Sequence, residues 1–219
     1  MPSKPRGKFI TFEGLDGAGK STQLKKLAAY LRKRGVDVII TREPGGTSLG
    51  SRLRAVLLNS RTSGLSPMAE LGLMFADRAQ HIDEKILPAL ERGQWVLCDR
   101  FSDSSEAYQG GGRELGSQVV HQLHKLLCHN LKPDLTILMV SDLSASIARA
   151  RRRNTAKSKK KKDENRFERE QESFHQRVMD AYLSIAKREP ERVVKVDARE
   201  PIPAVHETIV RSVEERFKF

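Results

Sequence analysis

The chain is predicted to be an α/β protein, with a mostly parallel five-stranded sheet and helices on both faces. Short apolar runs at Phe9–Phe12, Val36–Ile40, Trp95–Cys98, Leu135–Val140 and Val193–Val196 alternate with longer segments of helical apolar spacing. The first strand, a helix and the second strand fit into about thirty residues, which requires a crossover and parallel pairing. With 219 residues, 38% of them apolar, the chain can build one sizeable core, and no repeat or linker divides residues 1–219 into smaller units.

The first run feeds a glycine-rich turn. Gly14, Gly19, Lys20 and Ser21 fit GxxxxGK[ST], in which backbone N–H groups turn inward around nucleotide phosphates. The lysine reaches the β- and γ-phosphates, the hydroxyl holds Mg²⁺, and the helix that follows adds its positive end. A strand before and an amphipathic helix after are the context this motif needs, and they predict a P-loop NTPase fold. A dinucleotide fingerprint is disfavoured, because Thr22 stands where GxGxxG needs its third glycine.

Leu24, Leu27, Ala28 and Leu31 carry the first helix, and Gly35 stops it. Past the second strand, Thr41 to Thr47 (TREPGGT) holds Arg42 and Glu43 at the carboxyl edge of the sheet, where ligands bind in open α/β folds. The next helix is predicted to bury Leu49, Leu53, Val56 and Leu57, leaving Arg54 off that stripe, either solvated or turned to a ligand. Ser66 caps a long helix with Pro67 at its first position. Met68, Leu71, Phe75, Ala79, Ile82, Ile86 and Leu90 form its core stripe, Pro88 bends it, and Met74 and Arg78 share another face.

Trp95–Cys98 closes on Asp99-Arg100. A carboxylate at the end of such a strand stands near Mg²⁺ and its waters, and a planar cation beside it suits phosphate. Asp142, after Leu135–Val140, competes for the metal role, but Ser141-Asp142 precedes a helix and reads as a cap, so Asp99 is preferred. Asp103 to Gly112 (DSSEAYQGGG) has the composition of a binding loop. His121, His124 and His129 fall on a helix predicted over Leu115 to Asn130. They read as surface histidines, since no carboxylate or cysteine completes a metal set. Ser144 to Arg153 is helical, the helix resumes near Glu164 with Phe167, Phe174, Val178, Ala181 and Ile185 on one face, and Pro203 opens a last helix.

The net charge of +12 is local: Arg149 to Lys162 holds nine cations and no acid, which leaves +3 elsewhere. A duplex-binding protein more often spreads its basicity over a face, so nucleic acid is not the expected partner. A basic insertion between two helices of a phosphate-binding domain reads instead as a lid over polyphosphate, with Lys159 to Lys162 a mobile, solvated run. No apolar run reaches the ~20 residues of a membrane span, and the first eight residues are too polar for a signal peptide, so a cytoplasmic protein is expected. Cys98 and Cys128 are expected to be buried, inert thiols.

Together, EGLDGAGKST, TREPGGT, CDRF and AYQGGG resemble the thymidylate kinase family of P-loop nucleoside monophosphate kinases, over nearly the whole chain. The resemblance implies transfer of the ATP γ-phosphoryl group to dTMP with Mg²⁺, by a homodimer. It implies that Gly14, Leu15, Asp16, Gly17, Ala18, Gly19, Lys20, Ser21 and Thr22 hold the ATP phosphates, and that Ser21 and, through water, Asp99 hold the metal. Asp16 also faces the sugar 3′-hydroxyl. Glu43, Arg54 and Arg100 organise the acceptor phosphate, and Met74, Arg78, Ser105, Tyr108 and Gln109 surround the thymine and sugar. Gly17 stands where some members place an arginine, which resembles the bacterial type that draws its cations from the lid, here Arg149, Arg151 and Arg153 within a lid segment at about 149–168. Lys20, Asp99, Arg100 and Arg153 are the catalytic candidates. Met74 stands where many members stack a phenylalanine on the base.

Overall fold

A computed structural model describes residues 5–158 and 164–218, with the backbone alone for 151–158. Five strands, β1 (Phe9–Glu13), β2 (Val38–Arg42), β3 (Trp95–Asp99), β4 (Leu135–Val140) and β5 (Val193–Asp197), form one all-parallel sheet in the order β2-β3-β1-β4-β5. The chain leaves β1 in both directions across the sheet, with β3 on one side and β4 on the other. The crevice above its carboxyl end is therefore the switch point where doubly wound sheets bind ligands.

Alternation along the strands sorts the core into two faces. Ile10, Phe12, Leu97 and Ile137 pack on α1 (Lys20–Lys33) and α9 (Ile202–Phe217), through Leu24, Leu27, Ile209 and Val213. Phe9, Val96 and Cys98 pack on the other side against α3 (Pro67–His81), α4 (Leu87–Glu91) and α6 (Ser117–Leu127). A third cluster joins Leu15, Tyr108 and Leu138 to Phe174, Val178 and Tyr182 of α8 (Glu172–Arg188). Gly35 ends α1 at φ 78°, and the Ser66 hydroxyl accepts from Ala69 N–H with Pro67 at the helix start, both as the sequence predicts. Cys98 and Cys128 are buried and unpaired.

Several expectations need correction. The second strand runs two residues later than predicted, so Arg42 belongs to it and Glu43 is the first residue beyond. In α2 (Ser48–Leu58) only Leu57 of the predicted stripe is fully buried, and Leu49 and Val56 are exposed, as is Met68 at the start of α3. These apolar side chains of α2 and of the start of α3 thus face outward rather than into the core. The break in the long helix is a π-helical turn over Ile82–Ile86, just before Pro88, which supplies no N–H to the helical ladder.

Residues 103–112 are not a loop. Ser102–Ser105 is the short helix α5, and Glu106–Gly112 continues it as π-helix, with Tyr108 and Gln109 buried. The glycines serve packing: a β-carbon on Gly111 would stand 2.7 Å from the Ala181 β-carbon, and one on Gly112 2.6 Å from the Phe174 ring, so α8 lies directly on this backbone. α6 is shorter than predicted, and His124 is buried rather than on the surface, its Nε2 2.9 Å from Leu131 O. Burial, and then the charge of Arg78, pull its pKa down to about 4. After α7 (Leu143–Ser158), Phe167–Arg169 is a 3₁₀ turn and α8 begins only at Glu172. The Lys159 to Lys162 run lies outside the described residues.

Candidate active site

The carboxyl ends of β1, β2 and β3 open into a cavity of about 440 Å³, within the size range of small-ligand sites. Its lining includes Asp16, Gly17, Gly19, Lys20, Ser21 and Thr22 of the cradle, Glu43 and Arg54, Asp99 and Arg100, and Met74, Arg78, Ser105, Tyr108 and Gln109. Segments from Asp16 to Glu168, about 150 residues apart in sequence, meet here. Leu15 and Ala18 are buried in the core, so the cradle can use only their backbone.

In the cradle, Lys20 is buried, and its Nζ donates to Gly14 O at 2.9 Å and Leu15 O at 2.8 Å. Burial, assisted by Arg100, draws its pKa down to about 8. Ser21 Oγ donates to Asp99 Oδ2 at 2.7 Å. A hydroxyl and a carboxylate side by side at the cradle mouth are the hard oxygen donors that Mg²⁺ takes alongside phosphate and water. Among the described residues no cluster of three His, Cys, Asp or Glu side chains offers a competing metal site. Asp142 accepts from Ala145 N–H and Ser144 Oγ, capping α7 as predicted.

Gly17 has φ 85°, and a β-carbon there would fall 2.3 Å from Ser146 O. Its bare backbone lets α7 dock on the cradle, where Arg149 Nε donates to Gly17 O at 2.9 Å. An arginine at this position would collide with that backbone. The side chains of Arg151 and Arg153 lie outside the described residues.

Arg100 adopts φ 73°, a left-handed conformation uncommon for a residue with a side chain. Its N–H bonds Phe12 O, which turns the guanidinium back over the cradle. There it pairs with Asp16 at 3.0 Å and donates to Tyr182 and Tyr108 hydroxyls at 3.1 Å and to Ser104 Oγ at 3.0 Å. Beneath it, Glu13 is fully buried at the end of β1. Its carboxylate accepts from Phe101 N–H at 2.7 Å, Ser104 Oγ at 2.6 Å and Tyr182 Oη at 2.9 Å. Burial and then the charge of Asp103 push the Glu13 carboxyl up to about 7, against the pull of Arg100.

Glu43 does not reach the cavity as a free carboxylate. It bonds Arg78 Nε at 2.8 Å and His81 Nδ1 at 2.9 Å, and His81 Nε2 meets Thr41 Oγ1 at 2.6 Å. Burial raises the Glu43 carboxyl, but Arg78 and His81 more than offset it and hold it below its ordinary value. Arg78, also buried, gives Nη2 to Ser105 Oγ and Phe101 O, while its Nη1 is buried without a partner among the described residues. An orphaned donor on a buried cation costs on the order of 1–3 kcal/mol, and a ligand acceptor would satisfy it. Arg54 is neither freely solvated nor turned to open space: Glu164 grips it through Nε and Nη2, and Pro44 O takes Nη1.

Sequence reasoning overlooked Glu13, Tyr182, Glu70 and His81. A charged residue closing an otherwise apolar strand marks Glu13 as it marks Asp99, and Tyr182 lies four residues past Val178 on the same helical face. Nothing local marks Glu70 or His81, whose partners come from other elements.

Residues 12–209 match the sequence profile of the family described as thymidylate kinase. The thymidylate kinase of Alkalilimnicola ehrlichii is 48% identical over 200 residues, covering 91% of this chain and 89% of the relative. That of Desulfovibrio desulfuricans is 50% identical over 193 residues, 88% of each. The crystal structure of thymidylate kinase from Ehrlichia chaffeensis superposes with a TM-score of 0.76 at 33% identity, over 96% of this chain and 99% of the other. The chain belongs to the thymidylate kinase family, and the family's motif segments are the ones that converge on its cavity.

Proposed function

We infer that this chain transfers the γ-phosphoryl group of ATP to dTMP, giving dTDP, and that the cavity above β1 and β3 holds the two nucleotides with their phosphates facing. One observation carries the reading. Lys20 of the cradle, Gln109 and Arg78, whose Nη1 donor has no partner among the described residues, all line one cavity.

The acceptor is a phosphate oxygen already anionic at neutral pH, so no general base is needed. Positioning and charge neutralisation must supply the rate. Lys20 would exchange its two carbonyl bonds for the β- and γ-phosphates, and phosphate anions beside it would return it to its charged form. Arg100, held from four sides, would meet the transferring group without reorganising. Ser21 and Asp99 would hold Mg²⁺, which when bound neutralises charge on the donor phosphates. Arg149, Arg151 and Arg153 are proposed to close over ATP as α7 settles on Gly17, excluding water as a rival acceptor. Asp16 would face the sugar 3′-hydroxyl, Met74 would cover the base, and Ser105 and Tyr108 would line the sugar and base pocket.

We also propose one catalytic domain, a cytoplasmic location and a homodimer, with no nucleic-acid partner. No helix among the described residues is long and apolar enough to cross a membrane. The exposed Leu49, Val56 and Met68 on neighbouring helices support the homodimer. ADP release measured with a panel of monophosphates tests the substrate: dTMP is expected to lead, dUMP to follow and purine monophosphates to be poor. Equal turnover of all, or ATP hydrolysis indifferent to the acceptor, would overturn the assignment.

A further inference from the structure

We propose that Glu70 is a specificity-positioning residue: it fixes the orientation of the Gln109 amide, so that the cavity accepts thymine and uracil and rejects cytosine. The proposal rests on reading Arg78 and Gln109 as the base-facing pair. Glu70 sits in the first turn of α3, 1% exposed, and its Oε1 accepts from Gln109 Nε2 at 2.8 Å. The same carboxylate is ion-paired to Arg166 at 2.7 Å and to Arg113 at 3.2 Å, so it offers Gln109 acceptors only. The Gln109 amide must therefore turn its NH₂ to Glu70 and keep its carbonyl oxygen for another donor. Among the described residues no donor takes that oxygen, and Gln109 lines the cavity.

Read as the base-facing pair, Gln109 supplies a locked acceptor and Arg78 an orphaned donor. Thymine and uracil present the complement, an N3–H donor beside an O4 acceptor. Cytosine presents the reverse, an N3 acceptor beside an amino group. A site whose buried polar groups are left unpaired by the wrong base rejects it strongly. The lock also joins base reading to the lid. Arg166 follows the basic insertion, and Glu164, Phe167 and Glu168 beside it line the cavity, so the carboxylate that orients Gln109 also anchors the returning chain.

The test compares wild type, Glu70→Gln, Gln109→Ala and the double variant, with kcat and KM measured for dTMP and dCMP. A glutamine at position 70 can donate or accept, which frees the amide to turn over. Glu70→Gln is expected to raise KM for dTMP about tenfold with kcat within about threefold, and to lower the dTMP-to-dCMP ratio of kcat/KM about tenfold. Gln109→Ala is expected to lower that ratio as much, and the double variant to lose no more selectivity than Gln109→Ala alone, because Glu70 sets selectivity through that amide, whatever its ion pairs to Arg113 and Arg166 add to KM. If Glu70→Gln does not fold, Glu70→Asp keeps the charge but draws back from Gln109, and a smaller shift in the same direction is expected. Wild-type selectivity in the Glu70 variant while Gln109→Ala loses it, or selectivity losses that multiply in the double variant, would overturn the role of Glu70 alone. Unchanged selectivity in Gln109→Ala would overturn the base-facing pair, and wild type inactive on dTMP the reaction itself.

Discussion

Glu13→Gln should make the protein more stable at alkaline pH while leaving it nearly unchanged at acid pH. Glu13 is wholly enclosed, with Asp103 close enough to disfavour its charge, and its carboxyl is pushed from 4.5 to about 7. Between those values the folded protein keeps a proton that the unfolded chain has released, so stability falls as pH rises. Each pH unit in that window is worth about 1.4 kcal/mol, and the wild type should lose about 3 kcal/mol on passing through it. Glutamine has no such titration. Its carbonyl can still accept from Phe101 N–H, and its NH₂ can donate to the Ser104 and Tyr182 hydroxyl oxygens, which rotate to receive it. Urea unfolding of both proteins from pH 5 to pH 9 measures the difference, and the subtraction removes other groups such as Asp77, whose carboxyl burial pushes up to about 6. The variant should gain progressively up to about pH 7 and level off by about 3 kcal/mol. A difference that does not vary with pH would refute the account of a carboxyl kept protonated by burial.

The pH profile of kcat/KM for ATP should fall as pH rises through about 8, where unliganded Lys20 loses its proton, and a profile flat to pH 10 would rule that lysine out. Lys20→Ala and Arg100→Ala should each lower kcat at least ~100-fold, as expected when contacts to developing charge are lost, and near-normal turnover in either would remove that residue from the mechanism. Asp99→Asn should raise the Mg²⁺ concentration for half-maximal rate about tenfold or more, with the Ser21 contact still available. Unchanged metal dependence would detach Asp99 from that role. Deleting Lys159 to Lys162 should leave activity within about tenfold, since exposed charge is screened, and complete loss would make the run part of the working lid.

Local chemistry wrote much of this protein legibly. Glycines at positions 14 and 19 followed by Lys20 and Ser21 can be read without knowing any partner in the fold, because in such a motif it is the local backbone that turns its N–H groups inward. Asp99 and Asp142 also differ locally, one carboxylate ending a strand and the other opening a helix, and in the structure Asp99 meets Ser21 while Asp142 caps α7. Five apolar runs in order were enough for the sheet, although their spacing could not place β3 between β1 and β2.

Tertiary structure decided what each polar side chain faces. The same glycine-rich composition that suggests a loop at 103–112 serves instead as a close-packing surface for α8, a distinction set by Ala181 and Phe174, which leave no room for a β-carbon at Gly111 and Gly112, rather than by the glycines themselves. Leu49, Val56 and Met68 carry the right periodicity for a core and lie outside it, because periodicity marks an apolar face without saying what covers it. Glu13 meets Tyr182 across 169 residues and Glu70 meets Gln109 across 39. Buried carboxylates draw their meaning from partners that only the folded chain brings within hydrogen-bonding distance, so motif and spacing could mark the glycine-rich turn between β1 and α1 but not the contacts that hold Arg100 and Gln109 in place.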